Sequence, residues 1–109
     1  MSQHKIILKR GDTRTAIRAT LLESSGSPAD LSGAVVRFIM ADFRGNKRVA
    51  REVEIMDAAQ GKVRIIFEPP ETDEAGTFRA EFEVQFADGR KETYPNNGYL
   101  TIEIIPDLG

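Results

Sequence analysis

The sequence predicts an all-β domain in which two antiparallel sheets of about eight strands in total pack face to face. Short segments of alternating apolar and polar residues recur along the chain, and clusters of Gly, Pro, Asp and Asn separate them at roughly ten-residue spacing. The longest of these segments alternates strictly, with every second residue from Phe78 to Phe86 apolar. No long segment with helical periodicity competes with this pattern. A strand of this kind covers a core on one face and meets water on the other.

The residues that lead into this strand refine the fold class. The pattern Asp-x-x-Gly-x-Phe-x-Ala over residues 73–80 is typical of the corner before a central strand of immunoglobulin-like sandwiches. We expect the Asp73 carboxylate to hold the corner by hydrogen bonds to nearby backbone N–H groups. The prediction is therefore an immunoglobulin-like antiparallel β-sandwich, although Phe78 lacks the hydroxyl group of a tyrosine corner.

Turn-forming residues delimit the other strands. Pro69 and Pro70 end the fifth strand, and residues 70–74 are compatible with one helical turn. Asp88-Gly89 favours a type I′ hairpin turn. Arg51 interrupts the apolar face of the fourth strand, which indicates an edge strand or a bulge. The predicted strands cover residues 5–9, 15–22, 35–42, 48–56, 62–68, 78–86, 90–94 and 99–105.

Length and composition indicate one globular domain over residues 1–109, with 106–109 as a tail or the start of a linker. The 15 basic and 17 acidic residues are interspersed, so the concentrated basic face that nucleic-acid binding requires is not expected. The chain has no cysteine, which excludes disulfides, thiolate zinc sites and a cysteine nucleophile. No run approaches the roughly eighteen apolar residues of a membrane span, and Met1–Lys5 lacks the apolar core of a signal peptide. We expect a soluble protein made in the cytoplasm.

Catalytic residues and cofactor sites are not predicted. His4 is the only histidine and lies near a terminus, so a solvated residue is expected there rather than a triad member or metal ligand. Ser24, Ser25 and Ser27 lie in a loop without the Gly-x-Ser-x-Gly pattern of a nucleophile elbow. A small-molecule substrate is not expected.

Two further motifs have a sufficient structural explanation. Glu71, Asp73 and Glu74 supply carboxylates, but they lack the regular loop and the number of ligands that Ca²⁺ requires, so no metal site is predicted. The tripeptide at 10–12, Arg-Gly-Asp, matches the sequence that integrins bind. Gly and Asp at a turn are explained by glycine's backbone freedom and aspartate's local hydrogen bonds.

The aromatic residues near one end of the sandwich leave an alternative open. Phe43, Tyr94 and Tyr99, with the amides of Asn96 and Asn97, could form a small carbohydrate platform. A turn flanked by amphipathic aromatic residues at the edge of the sheet is the simpler interpretation.

In their order along the chain, the turns and strands resemble the N-terminal immunoglobulin-like domain of siphophage baseplate upper proteins. The resemblance covers roughly residues 8–105 and depends on the order of the matching segments, since turns in any β protein select Gly, Asp and Pro. The matching segments are Lys9-x-Gly11-Asp12-Thr13, Gly26–Ala34, Gly61-Lys62-Val63, Asp73-x-Ala75-Gly76-Thr77-Phe78-x-Ala80-Glu81-Phe82 and Phe86-x-Asp88-Gly89-Arg90-x-Glu92-Thr93-Tyr94-Pro95-x-Asn97-Gly98-Tyr99.

The resemblance implies a non-enzymatic assembly module of a phage or prophage tail, made in the bacterial host and carried in the virion. It implies docking to other tail proteins and a homo-oligomer in the assembled particle, with no nucleic-acid or membrane partner. The expected contact residues are Phe43, Arg51, Tyr94 and Tyr99. The alternative is a glycan- or receptor-binding module of the adsorption apparatus.

Overall fold

The computed structural model describes residues 5–108, which form nine strands in two sheets. Residues 106–108 follow the last strand without regular structure. His4 and Gly109, on which two of the expectations fall, lie outside the described residues. No helix in the described part of the chain is long and apolar enough to cross a membrane. The strands are β1 (Lys5–Lys9), β2 (Ala16–Thr20), β3 (Val35–Ala41), β4 (Lys47–Glu52), β5 (Glu54–Asp57), β6 (Lys62–Ile66), β7 (Gly76–Gln85), β8 (Lys91–Tyr94) and β9 (Leu100–Ile105).

The larger sheet has the order β1-β9-β7-β3-β4, and the smaller sheet has the order β2-β6-β5. The long strand β7 lies at the centre of the larger sheet. One of its edges pairs with β3, and the opposite edge pairs first with β9 and then with β8. All of these pairings are antiparallel except that of β1 with β9, which is parallel. The predicted all-β sandwich is confirmed.

The core lies between the two sheets, and alternation along β7 determines which side chains enter it. Phe78, Ala80, Phe82 and Val84 are buried, as their spacing predicts, and Phe86 is half-buried just beyond the end of the strand. Aromatic rings join the sheets: the Phe38 ring lies 5.2 Å from that of Phe82 and 6.1 Å from that of Phe67 on the opposite side, both edge to face.

The strand count is nine rather than eight because the segment predicted as one strand, 48–56, divides at Val53. Its first part is β4 in the larger sheet, and its second part is β5 in the smaller sheet. Val53 still donates its N–H to the Val36 carbonyl at 2.9 Å. The chain thus changes sheet at one residue, and continuous alternation in the sequence cannot reveal this because both parts keep one apolar face.

The hairpin turn at Asp88-Gly89 is not type I′, which requires positive φ at both central residues. Only Gly89 has positive φ, +89°, and the loop has three residues. The Gly89 N–H bonds to the Phe86 carbonyl at 2.9 Å, and the Phe86 N–H bonds to the Arg90 carbonyl at 2.8 Å. The prediction of a hairpin is therefore right and that of its type is wrong, since a type I turn with a left-handed glycine fits the same dipeptide.

The corner before β7 is held by Thr72 rather than Asp73. Thr72 is fully buried, and its hydroxyl donates to the Asp12 carbonyl at 3.0 Å. The Thr72 carbonyl accepts the Gly11 N–H at 2.9 Å. Two hydrogen-bonded turns, from Glu68 to Glu71 and from Pro70 to Asp73, replace the expected helical turn. The corner is thus joined to the β1–β2 connection by a side chain that the sequence pattern did not single out.

Candidate docking site

Two of the four expected contact residues meet at one end of the larger sheet. Phe43 follows β3 and Tyr99 precedes β9, and these strands flank β7 on opposite sides. Arg79 of β7 lies between them: its Cζ is 5.3 Å from the centre of the Phe43 ring and 5.0 Å from that of the Tyr99 ring. Phe43 is 68% exposed and Tyr99 is 43% exposed. We refer to Phe43, Arg79 and Tyr99 as the aromatic–arginine patch.

A tight three-residue loop presents Phe43. The Gly45 N–H donates to the Asp42 carbonyl at 3.0 Å, and the Asp42 N–H donates to the Asn46 carbonyl at 3.1 Å. The Asp42 carboxylate accepts the N–H groups of Arg44 and Asn46, both at 2.9 Å. The hydrogen bond from Asn46 is the main cause that lowers the pKa of Asp42. The loop is thus ordered by its own hydrogen bonds, so Phe43 is presented without help from a partner.

Tyr94 and Tyr99 flank the same turn but have opposite environments. Tyr94 is only 2% exposed, and its hydroxyl donates to Glu92 Oε1 at 2.7 Å. Burial, followed by this hydrogen bond and the negative charge of Glu92, raises the pKa of the Tyr94 phenol. Asn96 donates to the Thr93 carbonyl at 3.0 Å and to Glu92 Oε2 at 3.3 Å. Of the three rings of the alternative carbohydrate platform, only those of Phe43 and Tyr99 are exposed.

Arg79 is the residue of the patch that sequence reasoning missed. Its outward position follows from the alternation of β7, because Phe78 and Ala80 on either side of it are buried. The position is paired with Ala41 of β3, two residues before Phe43, and with Thr101 of β9, two residues after Tyr99. This pairing depends on sheet order, and sequence periodicity alone does not supply it.

Arg51 occupies an inward position on the edge strand β4, opposite Phe38. Its Nε donates to Glu71 Oε2 at 2.7 Å and its Nη2 to Glu71 Oε1 at 2.8 Å. Nη2 also donates to the Ile66 carbonyl at 2.7 Å. The predicted edge position is therefore correct, and the guanidinium is engaged within the domain. That Arg51 contacts another protein remains a prediction.

Two of the three acidic residues of the corner bind arginines. Glu71 binds Arg51, and Glu74 Oε1 accepts from Arg48 Nη2 at 2.7 Å. Within residues 5–108, no three acidic or histidine side chains are grouped so that they could hold a metal ion. Arg10 of the Arg-Gly-Asp tripeptide likewise pairs with Asp107 at 2.8 Å. These side chains have structural roles in the domain.

An apolar groove of about 520 Å³ lies between the edge strands β1 and β2. Ile6, Leu22 and Leu100 contribute to its surface, and Lys5 and Arg18 also line it. The described residues that line it include no carboxylate and no histidine.

Comparison with known families identifies the chain. The family model described as the BppU N-terminal domain, BppU being the baseplate upper protein, matches residues 1–97. The chain belongs to this family. The resemblance stated from the residues is thereby confirmed, and the match covers most of the domain described above.

Two solved structures show the same fold as this BppU N-terminal domain. The N-terminal domain of phage TP901-1 ORF48 has a TM-score of 0.65 at 19% identity, with 98% of this chain and 90% of that chain covered. CopC from Methylosinus trichosporium OB3b has a TM-score of 0.58 at 11% identity, with 98% and 89% covered. No curated protein matches the sequence significantly. At these identities the two structures support the fold alone.

Membership in the BppU family makes the chain a structural module of a phage baseplate, and hence a component of the virion tail. An aromatic–arginine patch on the outer face of a sheet has the composition of a protein-contact surface, since aromatic residues and arginine are enriched in interfaces. The geometry of the site and the family therefore agree on the class of function.

Proposed function

We propose that this domain docks to other tail proteins of the baseplate through the aromatic–arginine patch and catalyses no reaction. The observation that carries the proposal is the pair of exposed rings on either side of Arg79, on a loop and a strand end that the domain itself holds in place. Aromatic residues and arginine dominate the binding energy of many interfaces. Because the backbone here is ordered in advance, little conformational entropy is lost on docking.

The proposal includes the expected assembly. Copies of the chain are made in the cytoplasm of the bacterial host and arranged around the tail axis, as closed point-group symmetry favours. The interspersed charges and the formal net charge of −2 support protein partners rather than nucleic acid. The described residues that line the groove include no carboxylate and no histidine, which supports a non-enzymatic role.

The test is incorporation of the chain into baseplates when it is co-expressed with the other tail proteins of the same phage. The double variant Phe43→Ala with Tyr99→Ala is expected to reduce incorporation at least about tenfold, the loss that corresponds to about 1.4 kcal/mol of binding free energy. Met56→Ala is the matched control, because Met56 is 48% exposed and lies on β5 of the other sheet. Equal incorporation of the double variant and the control would contradict the proposal.

Glycan or receptor binding remains the second candidate because Phe43 and Tyr99 are exposed rings. A sugar stacks flat on an aromatic face. Arg79 already lies over both rings, so less of each face is available to a sugar than in an open platform. Binding of a polysaccharide to the wild-type domain that Tyr99→Ala abolishes, together with unchanged baseplate incorporation, would favour this candidate over docking.

A further inference from the structure

The guanidinium of Arg79 has no ionic partner among residues 5–108. Its one hydrogen bond is a long one, from Nη2 to the Phe43 carbonyl at 3.5 Å. No carboxylate of the described residues lies within 4.0 Å of it, whereas five of the nine other arginines are paired with acids in the same part of the chain. A guanidinium has five N–H donors, so most of the donors of Arg79 are free for an external acceptor.

Strand register increases the positive charge around Arg79. Across the larger sheet the row of paired residues runs Lys5, Thr101, Arg79, Ala41, Lys47. Three of these five positions are basic and none is acidic. Lys5 is partly neutralised by Glu103 of the neighbouring row, at 2.8 Å. Glu81 lies two residues along β7 on the same face, but no ion pair within 4.0 Å joins it to Arg79. The row therefore favours an anionic partner.

The two rings restrict how such a partner can approach. Phe43 and Tyr99 come from opposite sides of β7, and the centres of both rings lie within 5.3 Å of the Arg79 Cζ. The N–H donors of a guanidinium lie along its planar edge. A carboxylate accepts two parallel N–H bonds from such an edge. The exposed parts of the rings would exclude water around the ion pair, which strengthens it.

We propose that the aromatic–arginine patch binds a carboxylate of a partner tail protein, an Asp or Glu side chain or a C-terminus presented next to an apolar side chain. The inference rests on the proposed docking function and names the chemistry of the partner. A protein carboxylate is preferred to a phosphate group because the partners in the proposed docking function are proteins, whose commonest anionic groups are carboxylates. The neighbouring rings supply the apolar contact that a peptide segment provides alongside its carboxylate.

The direct test is NMR titration of the folded chain with two blocked dipeptides, acetyl-Asp-Leu-amide and acetyl-Asn-Leu-amide. We expect the aspartyl peptide to shift the Arg79 Nε–H resonance and the ring resonances of Phe43 and Tyr99 saturably in the millimolar range. A dissociation constant of 1 mM corresponds to a binding free energy of about −4 kcal/mol. The asparaginyl peptide should shift them at least tenfold less. Equal responses to both peptides, or no response at tens of millimolar peptide, would overturn the proposal.

Variants at position 79 separate the effect of the planar guanidinium group from the effect of its positive charge. Arg79→Gln should abolish the response, and Arg79→Lys should weaken it several-fold because lysine keeps the charge but not the planar fork. Arg18→Gln is the matched control, as Arg18 is exposed and lies on the other sheet. A response that survives Arg79→Gln, or that Arg18→Gln removes equally, would refute the assignment. Circular dichroism and the melting temperature verify that each variant is folded.

Two further outcomes distinguish this inference from the docking function and from a sugar ligand. If Arg79→Gln enters baseplates as well as the wild type while Phe43→Ala with Tyr99→Ala does not, docking stands and the carboxylate inference fails. If wild-type chain is absent from purified baseplates, the docking function itself fails. A saturable response to N-acetylneuraminic acid without one to the aspartyl peptide would assign the carboxylate to a glycan and overturn the proposal.

Discussion

Arg51 and Glu71 form a bidentate ion pair. The pair joins the edge strand β4 of the larger sheet to the connection that follows β6 of the smaller sheet. The Arg51 Nε–Glu71 Oε2 and Nη2–Oε1 distances are 2.7 and 2.8 Å. Glu71 Oε1 also accepts the Glu68 N–H at 2.7 Å, so the same carboxylate orders the turn around it. The pair thus links the two sheets close to Val53, where the chain passes from one sheet to the other.

Replacement of Glu71 by Gln is expected to lower the free energy of unfolding at pH 7 by about 1–3 kcal/mol, the usual cost when a hydrogen-bonded charged group loses its partner. Burial raises the pKa of Glu71, but hydrogen bonds from Arg51 and the Glu68 N–H, together with the charge of Arg51, outweigh it and hold the pKa below its usual range. A depressed folded pKa stabilises the protein above the unfolded value of about 4.3, and this stabilisation is lost as the pH falls through the folded value.

The measurement is urea unfolding of the wild type and Glu71→Gln from neutral to acidic pH, where the difference between them should shrink below the unfolded pKa. Glu54→Gln is the control, because Glu54 pairs with Arg64 on the outer face and its side chain is 55% exposed. It should change stability by less than about 0.5 kcal/mol. A constant difference across this pH range, or equal losses in both variants, would show that the pair does not stabilise the fold as described.

Thr72→Val should destabilise the domain by about 1–2 kcal/mol. The change keeps the shape of the buried side chain, but the Asp12 carbonyl loses the hydroxyl that donates to it at 3.0 Å. Thr77→Val, at an exposed position of β7, should fall within about 0.5 kcal/mol of the wild type. Chemical denaturation measures both. Equal effects would mean that the Thr72 hydroxyl does not hold the corner.

Gly61→Ala should lower the free energy of unfolding by about 3 kcal/mol or more. Gly61 has a φ of +67°, and a Cβ there would lie 2.6 Å from the Leu21 carbonyl oxygen and 2.9 Å from that of Ala29. Gly26→Ala is the matched control, with a φ of +92° and open space around the added carbon. It should cost only about 1–2 kcal/mol, from the backbone alone. Similar melting temperatures for the two variants would contradict the close approach of the chain at Gly61.

Variants of Tyr94 test whether this residue stabilises the core or contacts another tail protein. Tyr94→Phe should cost about 0.5–1.5 kcal/mol and leave incorporation into baseplates unchanged, because the ring stays in the core and only the hydrogen bond to Glu92 is lost. Tyr94→Ala should cost about 3–5 kcal/mol. Since the folded pKa of Tyr94 is raised, the neutral phenol stabilises the fold below the unfolded pKa of about 10, and this contribution declines at higher pH. A fully folded Tyr94→Phe that fails to incorporate would make the residue a contact.

The candidate site was only partly predictable. Phe43 and Tyr99 were expected as contacts because aromatic residues stand out in polar turns, and both are exposed. Tyr94 has the same residue type beside the same turn, and its burial follows from its pairing with Phe82, whose side chain faces the core. Arg79 looked like an ordinary polar residue of an alternating strand. Its importance appears only when β3 and β9 are known to flank β7.

The sequence by itself determined the all-β class, the alternation that buries β7 and the family to which the chain belongs, because each of these depends on residue order along a single strand or turn. Tertiary structure alone decided the change of sheet at Val53, the Thr72 corner and the meeting of Phe43 with Tyr99 around Arg79. Each of these joins residues from strands or connections that are far apart in the sequence, and in an immunoglobulin-like sandwich strand order differs from chain order. Periodicity specifies which face a side chain takes, whereas the neighbours on that face are set by how the sheets assemble.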